Sequence, residues 1–376
     1  MSIQSEINRI SSNITDSFSA VLEKGGTFSM PYNSNDLSNA IMSIPSGGGS
    51  ASEVEYGVNF IDYDGSIIAS WESDSVAMKS ELPNNPTRTG LTSQGWNWTL
   101  TDIKSYISSC PKATIFVGQI YATTSGLTEI DITVTKVTGL TVTCNMVGNK
   151  NWGDGVSDNL KSHTYTDYGN YTITCDGTEI PAGTANSGGM FGSSNANVNR
   201  FWCTGIRIGN SVTSIGTYAF NNCHSLARIL FSNRITSINA NAFNNCYSIE
   251  NVILPNSITE VVNSAFPNCF SLANVSLSNS VTSIGSTAFY NCYSLKSITF
   301  PGGTSSIGGT AFYNCYSITK YIFATNTSVT SLQGANAFTG INGICKIIVA
   351  DDLYDSWKTA LNWTGYSNYI YKASEA

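Results

Sequence analysis

From Ile206 to Ile322 the apolar positions repeat with a 23-residue period. The repeating cores are AFNNCHSLARILF, AFNNCYSIENVIL, AFPNCFSLANVSL, AFYNCYSLKSITF and AFYNCYSITKYIF, each preceded by a short piece such as SVTSIG or SITEVV. A sixth, degenerate copy runs from SVTSLQGANAF to KIIV, with extra residues before Phe338. One such unit cannot bury its apolar side alone, but stacked copies share a continuous core. In the second copy the inward set is expected to be Ile238, Ala242, Phe243, Cys246, Ile249, Val252 and Leu254. Segments such as NVIL and SITF supply one short parallel strand per coil, about 4.8 Å from the next. Residues 203–349 are therefore read as a solenoid. The tail 350–376 is read as its cap, with Asp351 starting a helix that carries Tyr354, Trp357 and Leu361 on one face, followed by Trp363. An open solenoid end exposes both core and strand edge, which is why a cap is expected.

Upstream the pattern changes, and the whole reads as a mostly β, multidomain chain. Ile3, Ile7, Ile10 and Ile14 fall in heptad steps, and isoleucine at both core positions favours trimers or tetramers. Residues 1–45 are thus expected to be a helical oligomerisation or anchor segment forming a homotrimer. The same residues also suit an amphipathic helix folded back on one bearing Leu37, Ile41 and Ile44. SGGGSAS, residues 46–52, is a linker by composition. Residues 53–112 read as a small β-rich module: VEYGVNFIDYDGSIIASW alternates around Asp64-Gly65, a hairpin signal. In this module Trp96 is expected in the core, and Thr99 with Asp102 forms a capping box for a helix to about Ser108. Residues 113–182 alternate as strands (IFVGQIYA, LTEIDITVTKV, LTVTCNMV, HTYTDYGNYTITC), and 183–202 read as a Gly/Ser/Asn-rich linker.

Composition narrows the function classes. Charged residues are 11% of the 376, against roughly 25% in average soluble proteins, and the net charge is −7. An acidic chain without a Lys/Arg cluster argues against nucleic acid, and against an anionic membrane surface. The start MSIQSEINRISSNI lacks the basic and apolar regions of a secretory signal. No apolar run reaches the roughly 18 residues of a membrane span, so no membrane insertion is expected.

Several segments resemble known families. The unit S-[IV]-T-S-I-G-x-x-AF-x-NC-x-S-L-x-x-I-x-[LF] is similar to the BspA-like, or treponemal-type, leucine-rich repeats of bacterial surface and phage proteins. That resemblance implies binding to proteins or host surfaces without catalysis. NWGDGVSDNLKSHTYTDYGNYTITC resembles the WGDG…HTY…GxYxI signature of PKD-type, immunoglobulin-like β-sandwiches. MSIQSEINRI…LEKGGT…NSNDLSNAIMSIPSGGG resembles the start of tail-appendage proteins from phages of Gram-positive hosts. LPNNPTRTGLTSQGWNW is similar to an element of small β-rich modules in bacterial surface proteins. Together these imply a receptor-binding phage or prophage tail component located in the virion. A bacterial cell-surface adhesin of extracellular location is the alternative, and a purely structural virion component a third reading.

Candidate chemistry is sparse. The two histidines, His163 and His224, have no HExxH, CxxC or paired-carboxylate context, so no enzyme activity and no cofactor or metal is expected. Asp62-x-Asp64-Gly65 could open a calcium loop, but Ser73 stands where the bidentate glutamate belongs. Asp154 and Asp158 could share a cation or serve turn chemistry. The aromatic series Tyr247, Phe270, Tyr293 and Tyr316 could hold sugar rings by CH–π contact, or its rings could pack on one another. Outward strand positions, among them Asn251, Asn274 and Thr299, form a second candidate binding face. The expected partner is a host cell-surface glycan or protein. The ladder cysteines are expected reduced and buried, because in-register side chains point the same way; a Cys144–Cys175 bond stays open.

Overall fold

The computed structural model describes residues 53–54, 56–134, 140–167, 169–184, 187–193 and 203–375. The expected helical segment 1–45 and the linker 46–52 lie outside them. Strands dominate, and a solenoid of about seven turns occupies the C-terminal part.

The first module holds β1 (Gly57–Ile61), β2 (Ile67–Glu72), α1 (Ser73–Val76), β3 (Leu91–Trp96), α2 (Leu100–Ser109) and β4 (Thr114–Thr123). The hairpin closes at Asp62, whose N–H donates to Ser66 O, with Gly65 at φ +82°, a left-handed value that suits glycine. Thr99 caps α2 by accepting from the Asp102 N–H at 3.2 Å. Trp96 is buried, as its spacing suggests. The expected boundary between residues 112 and 113 falls one strand too early. β4 pairs in parallel with β1 and antiparallel with β3, giving the sheet order β2-β1-β4-β3, so the module runs on to Thr123. Its apolar run IFVGQIYA needs cover on both faces, as a central strand does.

Next come β5 (Thr128–Val134), β6 (Leu140–Thr143), β7 (Lys150–Asn151), β8 (Ser157–Asp158), β9 (Ser162–Tyr165) and β10 (Gly169–Cys175). β10 lies antiparallel to β5 with Ile173 opposite Ile130. The short pair β6–β9 supplies Val142 and Tyr165 to the same core, and Cys144, just after β6, joins them. A sandwich of seven strands in two full sheets is not what the described residues make. β5 instead carries, on its other edge, β13 (Cys203–Arg207), the first ladder strand of the solenoid. Arg207 locks that junction, with Nη1 and Nη2 on the two Asp131 carboxylate oxygens at 2.6 and 2.8 Å and Nε on Glu129 at 2.7 Å. The layer therefore closes the solenoid's N-terminal end, and one apolar core runs from Ile130 to Ile370.

The expected linker 183–202 also needs correction. Between β10 and β13 stand β11 (Ser187–Gly188) and β12 (Gly192–Ser193). Ile180 bridges Ile215 in parallel, the Met190 N–H donates to Ala219 O, and Met190 and Phe191 are fully buried. These are the contacts one coil makes with the next, so an irregular first coil begins near Ile180.

From there two parallel ladders climb the solenoid. One contains Asn251–Ile253, Asn274–Ser276, Ser297–Thr299, Lys320–Phe323 and Lys346–Val349; the other pairs Ile215 with Ile238 and Ile284 with Ile307. Phe220, Phe243, Phe266, Phe289, Phe312 and Phe338 stack as an inward column, with centroids 5.2 to 5.9 Å apart. At the C-terminal end Trp357 on α3 (Tyr354–Thr359) and Trp363 are fully buried, and the strand Ile370–Lys372 extends the ladder. Leu361, expected inward, is 83% exposed because α3 stops at Thr359. Asp351 lies in a 3-10 turn and accepts from Ser374 N rather than capping α3.

Candidate recognition surface

One edge of each coil is built by the sequence Phe-x-Asn-Cys-aromatic. The phenylalanine turns inward, and the asparagine two residues on adopts φ between 59° and 62° at Asn222, Asn245, Asn268, Asn291 and Asn314. Asparagine tolerates this left-handed backbone better than other side-chain-bearing residues. The turn sends the cysteine back into the core and leaves the following aromatic at the surface. The Nδ2 of Asn245, Asn268, Asn291 and Asn314 each donates to the Oδ1 of the asparagine one coil earlier, at 2.7 to 2.9 Å. The thiols of Cys246, Cys269, Cys292 and Cys315 donate to the carbonyls of Phe220, Phe243, Phe266 and Phe289 at 3.1 to 3.4 Å. All ten cysteines are free and buried, Cys144 and Cys175 included.

His224, Tyr247, Phe270, Tyr293 and Tyr316 form a second stack on the outside. Successive centroids lie 4.4, 4.6, 5.0 and 5.7 Å apart, with rings within 17° of parallel. The interior rings spend both faces on their neighbours, so the CH–π platform expected for sugars is closed there. The row shows solvent its ring edges and hydroxyls. Exposure rises toward the C-terminal end, to 37% at Tyr293 and 51% at Tyr316. A further pair, Tyr290 and Tyr313, stacks at 5.1 Å. Residues 214–227, 237–249, 261–275, 283–295 and 306–319 contain no Asp, Glu, Lys or Arg. The edge is polar without charge.

The second candidate face is covered. β1, β4 and the β3–α2 corner lie across the outward positions of the first ladder. Asn251 Nδ2 donates to Asp64 O at 3.3 Å and Thr299 Oγ1 to Thr114 O at 3.3 Å; Asn274 Nδ2 donates to Asn251 Oδ1 at 2.9 Å. Asn97, fully buried, donates to Ser276 Oγ at 2.8 Å, and Trp98 Nε1 to Leu277 O at 2.8 Å. Tyr106 OH donates to Ile322 O at 3.0 Å. This face needs a cover because Ile253, Ile322 and Ile348 point outward from it; all three are buried against the module. Gly118 sits where any Cβ would collide with Ile253. The readable signal was those three outward isoleucines.

The remaining candidates are structural. Asp62 is fully buried and paired with Arg88 Nε at 2.5 Å, and Asp64 accepts from Ser66 N within the hairpin. His163 stacks on Trp152 at 5.2 Å and meets Asp154 Oδ2 at 2.6 Å, while Asp158 accepts from Trp152 Nε1. Among the described residues no group of three His, Cys, Asp or Glu is placed to hold a metal ion. No helix among them is long and apolar enough to cross a membrane. A depression of about 570 Å³ lies between α1 and α2 beside Asp74 and Lys104.

Comparison with known proteins finds the repeat. Residues 195–319 and 259–364 match the BspA type Leucine rich repeat region, in six copies. The C-terminal solenoid is similar in sequence to BspA-type leucine-rich-repeat regions. Among solved structures, a leucine-rich-repeat protein of T. pallidum is 34% identical over 30% of this chain and 53% of that one, with a TM-score of 0.30. A leucine-rich repeat protein from Bacteroides ovatus is 27% identical over 39% of this chain and 42% of its own, with a TM-score of 0.34. A leucine rich cell surface protein from Faecalibacterium prausnitzii is 26% identical over 35% and 39%, with a TM-score of 0.28. The matches thus span between 39% and 53% of those chains. No curated protein matches.

Proposed function

We propose that the chain is a non-enzymatic surface recognition or adhesion protein that binds through the charge-free aromatic and asparagine edge of its BspA-type repeats. The observation that carries this reading is the outer ring stack, whose edges no other described element covers, beside the asparagine ladder, while the first-ladder strand face is occupied by the chain's own module. A surface of hydroxyls and amides suits a host-surface glycan or protein, and its lack of charge disfavours a polyanion. The repeats support an extracellular or cell-surface adhesin better than a phage tail appendage, which rests on residues 1–48. The test is saturable binding of the labelled full chain to a panel of intact host cells. The variant carrying Tyr293→Asp and Tyr316→Asp should keep its fold by circular dichroism and lose that binding. Equal binding by variant and wild type would remove this edge from the account.

A homotrimer through residues 1–45 is a separate proposal, on the isoleucine spacing alone. Light scattering should give a trimer for the whole chain and a monomer once those residues are removed; monomers in both cases end it.

A further inference from the structure

We infer that the ligand of this edge is a neutral, extended β-linked glycan lying along the solenoid axis. It is held by hydrogen bonds at two successive coils through Tyr290, Asn291, Tyr293, Tyr313, Asn314 and Tyr316. The inference rests on the reading of this edge as the recognition surface and names its ligand class.

The ring stack dictates the mode of contact. Tyr293 is stacked on both sides, by Phe270 at 5.0 Å and Tyr316 at 5.7 Å, so its faces are not open to a sugar. What it can offer is its edge and its hydroxyl, which both donates and accepts, as sugar hydroxyls do. Asn291 and Asn314 each use one N–H in the ladder, and a primary amide has a second. The ligand must therefore be rich in donors and acceptors, and it need not present an apolar face.

The position follows from the repeat sequences. In the coils around 290 and 313 the edge reads Tyr-Asn-Cys-Tyr, so phenol hydroxyls flank the amide on both sides. One coil earlier Pro267 and Phe270 take those places, and the line of hydroxyls is broken. Exposure agrees, since Tyr293 and Tyr316 are the two members of the row that stand most open. Beyond Tyr316 the chain keeps close to the ring with Gly340, where a Cβ would lie 2.8 Å from Tyr316 Cε1.

The ligand class follows from pitch and charge. Equivalent groups recur once per coil, with stacked rings 5.0 to 5.7 Å apart at this end. An extended β-linked pyranose chain advances by a similar distance per sugar, so successive sugars, alternately turned over, each set hydroxyls against one coil. A coiled α-linked chain cannot stay in step. Residues 283–295 and 306–319 are without Asp, Glu, Lys and Arg, so sulfated or carboxylated polymers meet no counter-charge on this edge.

The experiment is calorimetric titration of the full chain with cellohexaose and chitohexaose, against maltohexaose and heparin. A second arm uses the double variant Tyr293→Phe, Tyr316→Phe. Phenylalanine already fills this slot at Phe270, so the stack is kept while two hydroxyls are removed. The β-linked oligosaccharides should bind in preference to maltohexaose and heparin, and the variant should bind them about tenfold more weakly, the loss expected for two net hydrogen bonds. Equal binding by variant and wild type, preference for heparin or maltohexaose, or no binding of either β-linked probe overturns the inference. If cells are still bound, and that binding is destroyed by treating them with protease and not with glycosidase, the ligand is a protein. The recognition edge then survives, and the glycan assignment falls.

Discussion

Asparagine at positions 245, 268, 291 and 314 combines a left-handed backbone with an amide that reaches the coil before it. The two contributions can be separated at Asn268. Glycine there keeps the backbone conformation and loses the ladder bonds, at a net cost of about 1–2 kcal/mol. Alanine loses the bonds and also meets the left-handed penalty of about 1–2 kcal/mol. Denaturant midpoints should therefore fall in the order wild type, Asn268→Gly, Asn268→Ala, and an alanine variant as stable as the glycine variant would show that backbone strain plays no part. The phenylalanine and cysteine columns were legible from spacing alone, because an inward apolar slot declares itself by recurring. The asparagine column recurs just as strictly, yet its meaning depends on a backbone angle that spacing does not carry. The outer aromatics were likewise found, but whether their planes face each other or the solvent is fixed by three-dimensional stacking.

At the scale of elements, short-range signals transferred well. The Asp64-Gly65 hairpin, the Thr99 cap and the buried Trp96 depend on neighbours a few residues away. The misplaced boundaries have long-range causes. β4 joins the sheet of β1, on the far side of a helix, and the coil between Ile180 and β13 is stretched so that no 23-residue period marks it. The docking of the first module on the ladder was also out of reach of local pattern, since Asn97 and Trp98 find their partners 179 residues away. Asn97 is the sharpest probe of that interface. Its Oδ1 accepts from Gly118 N at 2.8 Å, and its Nδ2 serves Ser276 Oγ, all in full burial. Asn97→Ala leaves these groups unpaired, at about 1–3 kcal/mol for each buried donor or acceptor. Limited proteolysis should then cut within the module well before the solenoid is attacked. Cleavage at the wild-type rate, with an unchanged midpoint, would mean that the module is held by apolar contact alone.

Over the whole molecule, sealing both solenoid ends places nine neutral thiols in one core that excludes water, and Cys110 is buried in the core of the first module. Burial pushes Cys315, Cys345 and Cys144 up to about 12, and Cys110 to about 11, from an ordinary value near 9. The folded state thus holds these protons through a pH range in which the unfolded chain releases them. The associated stability is fully present below pH 9 and is lost as pH climbs from there toward 12, because ionisation favours the unfolded state by about 1.4 kcal/mol per pH unit for each such thiol. With several thiols acting together, melting temperature under reducing conditions should be flat between pH 6 and 8 and then drop steeply. Replacing Cys269 and Cys292 by alanine should make that drop shallower, although the protein starts less stable at pH 7 because the column is thinned. The same burial predicts that a thiol reagent at pH 8 labels the column only at the rate of global unfolding, all five thiols together. Rapid labelling of Cys246, Cys269, Cys292 or Cys315 in the folded protein, or a melting temperature that holds level through pH 10, would show that solvent reaches the column and that the ends are not sealed.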